Sequence, residues 1–424
     1  MNTPEKLFHT LLGLGDEWQI TELEFDKDSS EVRLRITERP ELLLRQHCPD
    51  DQGEVGIYDH GREREWRHLN VFEHKCFIQA RLPRVRCKTC GKIFQVQAPW
   101  EGLSMHFTAS FEAMVLLLMR EMPVRKVSEF VQVSDTRLWR ILARHVATAY
   151  RQLDFSDSTC IGVDELASRK GHRYVTVFAD LMAKRVLFAV PGKDSATWKA
   201  FVEEIERHAG DASRIDCISM DMSVPFQKGA LKNCPQAKLV FDKYHLIAKA
   251  NKAVGDIRRA EIRLGGRYHD LKKTRWIWLK NPENLTEKQA ARLERIDLAN
   301  LVTAKAYQMR LSLQDIYVLE SVGRAESRLL AWCRWVRQKA KQARYELLAG
   351  MVKVARCIED HLQGILKHWE SRVTNAYMEG LNNLFQMVKR RARGYRNEQN
   401  FIMMIYFASS KLNLPATASA IHSK

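Results

Sequence analysis

Long hydrophobic runs are missing from this chain. The longest lies near Met114–Met119, far short of the ~18–20 apolar residues a membrane-spanning helix requires, so no membrane partner is expected. The first ten residues, MNTPEKLFHT, carry both signs of charge and no apolar core, which argues against a cleavable signal sequence. Paired cysteines are also scarce: the nine present are scattered, so a disulfide framework is excluded and the reducing cytoplasm is the expected compartment. Only Cys87 and Cys90 stand as a close pair. Negative charge is the third shortage. Asp and Glu number 51 against 68 Lys and Arg, a net charge of +17. Such an excess repels itself unless a polyanion neutralises it, and nucleic acid is the commonest polyanion.

With 424 residues the chain is too long for one ordinary core, and two to three domains are expected. No internal repeat is visible. Residues 1–104 form a strand-rich N-terminal region. Val32, Leu34 and Ile36 alternate with polar residues from about Glu17 to Glu38 as in a half-buried strand. From Cys48 to Pro99 the sequence predicts short, Arg-rich strands with little core.

Residues 105–152 switch to helical periodicity. One helix closes at Leu116–Met119, VRKVSEFV starts a second and DTRLWRILARHV a third. Gln132–Ser134 form a tight turn between the last two, and Ser134 or Asp135 can cap the third. This is the pattern of a helix-turn-helix. Arg137, Arg140 and Arg144 fall near one face of its last helix, with Leu138, Ile141 and Leu142 toward the core. Such a helix enters the DNA major groove, and the basic strand residues Arg81, Arg84, Arg86 and Lys88 favour DNA over an ordinary helical hairpin.

Residues 158–264 alternate strand and helix. TCIGVDE, RYVTVFAD and RVLFAV are three strands, followed by helix, strand, helix and strand, the last ending in VFD. That order is the α/β order of a ribonuclease H-like catalytic core. Residues 265–353 read as a helical insertion containing Trp276, Trp278, Trp332 and Trp335, either a spacer with aromatic anchors or a platform for DNA or a second subunit. Residues 354–412 complete the core with a basic helix from about Arg372 to Arg393, and 413–424 form a polar tail.

Three carboxylates are placed for chemistry. Asp164 is expected to end the first core strand and Asp221 the fourth, and these strands are neighbours in such a sheet. Glu379 lies on the late basic helix. Three carboxylates held together resist ionisation unless cations sit between them. Oxygen-only ligands select Mg²⁺ or Mn²⁺, and two such ions suit in-line phosphoryl transfer. Glu165, Asp180 and Asp242 compete for the role. Asp242, ending the fifth strand, is expected with His245 to support the site or touch DNA, whereas Asp180 should sit at the far edge. Lys389, Arg390, Arg391 and Arg393, with Arg396 beyond them, would neutralise DNA backbone.

Cys87 and Cys90 are half of a zinc site. Upstream, HCPDDQ supplies Cys48 but has Asp51 where a second cysteine would complete a pair. Cys48, Cys87 and Cys90 with Asp51, His47 or His60 would give four ligands, the alternative being a metal-free pair held by its strands.

With these residues in place, the sequence resembles the ISL-three family of bacterial insertion-sequence transposases over nearly its whole length. The resemblance rests on YDHGREREWRHLN, ARLPRVRC, GVDE…KGHRYVTVFAD, SMDMS, VFDKYH and NAYMEGLNN…KRRARGYRN. It implies a DDE catalytic triad of Asp164, Asp221 and Glu379, recognition of terminal inverted repeats in double-stranded DNA, and a homo-oligomer on that DNA. A DNA-binding regulator lacking catalysis is the alternative of another class; only the transposase requires all three carboxylates.

Overall fold

The computed structural model describes residues 4–169, 171, 173–296, 298–371 and 376–415. The expected start of the basic helix at 372–375 and residues 416–424 of the expected tail lie outside them. The chain forms two compact units, Met1–Leu153 with Met387–Lys424, and Asp154–Gln386.

The first unit begins with helix α1 (Pro4–Leu11) and a sheet of β1 (Trp18–Asp26), β2 (Glu31–Glu38), β3 (Val55–Val71), β4 (His74–Cys87) and β5 (Ile93–Gln95), with the short helix α2 (Glu41–Arg45) between β2 and β3. The order is β1-β2-β4-β3 with β5 on β4. The pairing of β2 with β4 is parallel and the rest antiparallel. Val32, Leu34 and Ile36 are buried as expected. The segment holding them is a hairpin rather than one strand, because Asp26 accepts the N–H groups of Asp28 and Ser29 and turns the chain. The region after Cys48 departs further from expectation. In place of short strands it has one of 17 residues and one of 14, and Trp18, Trp66 and Trp100 meet edge to face in a core of its own. Three register shifts in β3 interrupt its alternation while the ladder continues, so the period-two signal that marks a strand is broken without the strand ending.

Three helices follow: α3 (Ala109–Glu121), α4 (Val124–Val131) and α5 (Asp135–Tyr150). Gln132 takes the left-handed conformation, φ 53°, that ends α4. Leu138, Ile141 and Leu142 are fully buried, while Arg137, Arg140 and Arg144 are exposed. Ser134 occupies the cap position of α5 without a side-chain bond; Asp135 instead accepts the N–H of Thr136.

The second unit is built on β6 (Cys160–Arg169), β7 (Arg173–Asp180), β8 (Arg185–Pro191), β9 (Cys217–Met220) and β10 (Lys238–Phe241). Their order is β10-β9-β6-β7-β8. The β6-β7-β8 meander is antiparallel, and β9 and β10 run parallel to β6. Helix α6 (Ala196–Arg207) precedes β9, α7 (Val224–Asn233) precedes β10 and α8 (Lys243–Leu264) follows it. Phe178 of β7 stacks on Phe201 and meets the edge of Trp198, both from α6.

The expected insertion is helical throughout its described elements: α9 (Glu287–Glu294), α10 (Val302–Ile316), α11 (Val322–Ala340), and the beginning of α12 (Ala349–Asp360). Both α10 and α12 pack on α8. Trp278 and Trp332 are buried, their indole N–H groups bonded to Thr274 and to the carbonyl of Met309. These are core anchors, and Trp276 alone of the four tryptophans is largely exposed. Helix α13 (Leu362–Ser371) packs on β10, and α14 (Ala376–Arg391) follows. The unit boundary falls inside α14, and the chain closes with α15 (Glu398–Ser409), which packs on α5. Among the described residues no helix is long and apolar enough to cross a membrane.

Candidate active site and metal centre

Asp164 does not end its strand. It is the fifth residue of β6, which continues to Arg169 because β7 stays paired with it. The other neighbour, β9, pairs with β6 only over Cys160–Gly162, so beyond that point one side of β6 is open. Asp221 follows the last residue of β9, and its carboxylate accepts the N–H of Ser223 at 2.9 Å. Asp242 follows β10 and caps α8 by accepting the N–H of Tyr244 at 3.0 Å. Parallel neighbours therefore bring Asp164, Asp221 and Asp242 out along one side of the sheet.

The third carboxylate arrives through a close approach. A Cβ built on Gly162 would lie 2.6–2.8 Å from Leu181 and Met378, so glycine is what lets α14 lie against β6. Gly162 and Asp164 share a face of the strand, about 6.6 Å apart along it. Met378 and Asn382 are one helical turn apart, about 6 Å. The two spacings match: Met378 sits over Gly162, and the Asn382 amide donates to Asp164 Oδ2. Glu379 is carried on the same turn.

The electrostatics fit one cluster. Burial pushes Asp164 above the ordinary carboxylate range, opposed by its bonds from Asn382 and from the Glu165 N–H and reinforced by Asp221. Glu379 is raised by burial and then by Asp242 and, more weakly, Asp164, with Lys243 and His245 opposing. Glu165 is raised by burial and by Asp221. His245 lies 3.8 Å from Asp242. Asp180, by contrast, pairs with Ile161 at the start of β6 and bonds to Ser158, at the opposite end as expected. Asn382 was not singled out by sequence; its i+3 spacing from Glu379 on a helix was the available signal.

A second cluster lies in the first unit. The Sγ atoms of Cys48, Cys87 and Cys90 and a carboxylate oxygen of Asp51 all lie within 4.8 Å of one another, the only such group among the described residues. Asp51 thus takes the fourth place left open among three residues, while His60 bonds to Glu38. Cys48 and Cys90 sulfurs are 3.6 Å apart, and Cys87 lies 3.4 Å from Asp51. Tetrahedral zinc with its usual bond lengths asks for roughly 3.5–3.8 Å between such donors. The N–H groups of Thr89 and Cys90 point at the Cys87 sulfur, and the Gly53 N–H, with the thiols of Cys48 and Cys90, holds Asp51 down at about 2. This donor set fits zinc.

The basic residues divide into two kinds. Arg140 is exposed. The Arg137 guanidinium lies over the Phe107 ring and that of Arg144 donates to the Leu103 carbonyl, so both are held at their charged ends. Arg390 and Arg393 are exposed, whereas Lys389 and Arg391 are half-buried. Both terminal nitrogens of Arg391 donate to the last carbonyls of α3, those of Glu121 and Arg120.

Three family profiles match the sequence. One described as transposase matches residues 161–405, more than half the chain. A zinc-finger of transposases of the IS204, IS1001, IS1096 and IS1165 elements matches 45–90, which contains all four donors. A helix-turn-helix domain of transposase family ISL3 matches 106–146. Among curated proteins the chain is 28% identical over 347 residues to the transposase for insertion sequence element IS1001 of Bordetella parapertussis, covering 81% of this chain and 83% of that protein. It is 27% identical over 441 aligned positions to the transposase for element IS1557 of Mycobacterium tuberculosis, covering 97% of each.

Proposed function

The chain belongs to the ISL3 family of transposases, and from that premise we propose that it binds double-stranded DNA at the terminal inverted repeats of its element and catalyses metal-dependent cleavage and strand transfer on a ribonuclease H-like core. The observation that supports this is the bond from Asn382 to Asp164, which sets the helix turn that also carries Glu379 beside β6, with Asp221 acting on Asp164 and Asp164 on Glu379. The strand order, a meander followed by two strands parallel to its first, supports the core assignment.

Asp164, Asp221 and Glu379 are the residues that would hold Mg²⁺ or Mn²⁺, two ions in all. When bound, such ions activate a water or 3′-hydroxyl and steady the leaving oxygen of a phosphodiester. The chain's own residues prepare the site. Asn382 fixes the orientation of Asp164, and the cap made by Asp242 sets the start of α8 and with it His245. The partly buried carboxylates are costly as bare anions, which favours cation binding. In the other unit, α5 would read the ends through Arg137, Arg140 and Arg144. Lys389, Arg390 and Arg393 would meet backbone phosphate, and Cys48, Asp51, Cys87 and Cys90 would hold one zinc. Two copies of the chain would hold the two ends.

The test is a labelled oligonucleotide carrying an end of the element, incubated with the protein and Mg²⁺ or with chelator. Metal-dependent nicking at the end and joining to a target strand is expected. Tight end-binding with neither nicking nor joining in Mg²⁺ or Mn²⁺ would leave a DNA-binding regulator instead.

A further inference from the structure

Lys193 has no part in the site above, although it stands at that site's edge. It follows β8 in the sequence VPGK, and its placement is built on β7. Thr176 of β7 is fully buried and pairs with Glu165 across the β6–β7 ladder. Residues opposite one another in a ladder share a face, so both side chains leave the sheet on the same side. There the Thr176 hydroxyl donates to the Gly192 carbonyl at 2.8 Å, and the Gly192 N–H donates to the Tyr174 carbonyl, also at 2.8 Å. These bonds fasten the residue that follows β8 onto β7. Gly192 makes them at φ 108°, a conformation open to glycine and strained for other residues. Its successor, Lys193, is exposed, yet its ammonium rests 4.2 Å from the centre of the Tyr174 ring. Tyr174 lies two residues from Thr176 and so on the face of Glu165.

The charge so placed is not spent on a partner. The next lysine, Lys199 of α6, is paired with Glu203, whereas Lys193 forms no ion pair among the described residues. It acts on Glu165 without bonding to it, opposing the rise that burial and Asp221 impose. Cations therefore flank the carboxylates from both edges of the sheet. Lys243 and His245, which act on Glu379, follow the edge strand β10, and Lys193 follows the other edge strand, β8. A polyanion laid across the acids would meet a positive group at each side of them.

We propose that Lys193 is a substrate-positioning residue of the cleavage site, its ammonium holding a backbone phosphate of the scissile strand on the β8 side of the carboxylates. This rests on the reading of that cluster as the site of cleavage. Lysine suits the task as a compact point charge with three donors. The Tyr174 ring attracts and orients it, and the clamp at Gly192 fixes its backbone, so less freedom is lost when a phosphate arrives. Such a contact would align the strand for reaction without reading its sequence.

The experiment saturates a labelled end oligonucleotide with full-length protein and starts nicking with Mg²⁺. Lys193→Ala should nick about tenfold more slowly, since one charge-assisted contact is lost, while its end-binding in gel shift stays as in wild type. Lys193→Arg, which keeps the charge, should recover most of the rate. The substrate separates contact from a merely structural role. Each phosphate near the cleaved bond is replaced in turn by a neutral methylphosphonate. One position should slow the wild type about tenfold and leave Lys193→Ala no slower than it already was. Losses that multiply at every position overturn the proposal, as does a wild-type rate for Lys193→Ala. If the wild type nicks nothing in Mg²⁺ or Mn²⁺, the cleavage reading fails, and footprinting then decides Lys193 by itself. In Ca²⁺, acetylation of surface amines, read by mass spectrometry, should spare Lys193 when end DNA is present. Lys184, exposed in the β7–β8 turn at the opposite end of the sheet, should be labelled throughout. Equal labelling of Lys193 with and without DNA overturns the contact.

Discussion

The two clusters of ligand-type residues are assembled in opposite ways. Cys48 and Cys90 lie 42 residues apart, in the loops before β3 and after β4, which the pairing of those strands brings together, and the four donors already crowd within 4.8 Å. Asp164, Asp221 and Glu379 are separated by 221 − 164 = 57 and 379 − 221 = 158 residues, and three independent elements deliver them without drawing them into so tight a group. Sulfur donors directed at one point make a closed structural site, which leaves no position for a substrate. Carboxylates spread along a sheet side, partly buried and short of countercharge, make an open site that cations and a phosphate can enter. On the proposed reading, the difference separates a centre that would hold a fold from one that would work on a substrate.

The largest expected effect tests the open site. Asp164→Asn, Asp221→Asn and Glu379→Gln should each reduce strand cleavage by ~1,000-fold or more, since metal-assisted charge stabilisation is worth several kcal/mol. End-binding in gel shift should stay unchanged. Cleavage at the wild-type rate by any one of them removes that residue from the site.

A smaller effect tests the closed site. Purified protein should carry about one zinc per chain, and Cys87→Ser should release it and lower the melting temperature of the first unit. Asp51→Asn should weaken zinc by ~10-fold or more in competition with a chelator, whereas Asp51→Cys should retain it. Zinc content unaffected by Cys87→Ser would mean that the metal, if present, is held elsewhere.

The smallest effect concerns acid, and here the two units should respond with opposite sign. His68 is pushed down to about 4 by burial and then by Arg67. The stability it contributes is present above the ordinary histidine value and is lost as pH falls through 6.5 toward 4. Asp164, Glu165 and Glu379 are raised, so what they contribute is present at low pH and lost as pH rises through their raised values. Metal-free Asp164→Asn should consequently melt higher than wild type at pH 7, by roughly 2–4 °C, and the gain should vanish near pH 4. A gain that persists there would assign the effect to packing.

Much of this was legible in the chain because the signals are local. The apolar run before Asp164, the alternation of Val32, Leu34 and Ile36, the three-residue turn between two amphipathic helices, and the Cys87–Cys90 spacing each depend on neighbours a few residues away. The long hairpin is not legible as two strands because its bulges break the alternation that identifies a strand. Asn382 is not legible, because an amide on a helix has no signature until its partner, Asp164, 218 residues away, is beside it.

What the sequence determined by itself was residue chemistry and short-range pattern: a basic chain, two helices set around a turn, thiols spaced for metal, and carboxylates following apolar strands. The choice of Asp51 over His47 and His60, the lodging of α14 against Gly162, the spending of Arg391 on backbone carbonyls and the joining of α15 to the helix-turn-helix were decided by tertiary structure alone. Each depends on which distant surfaces exclude water together, and that is a property of the packed whole that no window of sequence contains.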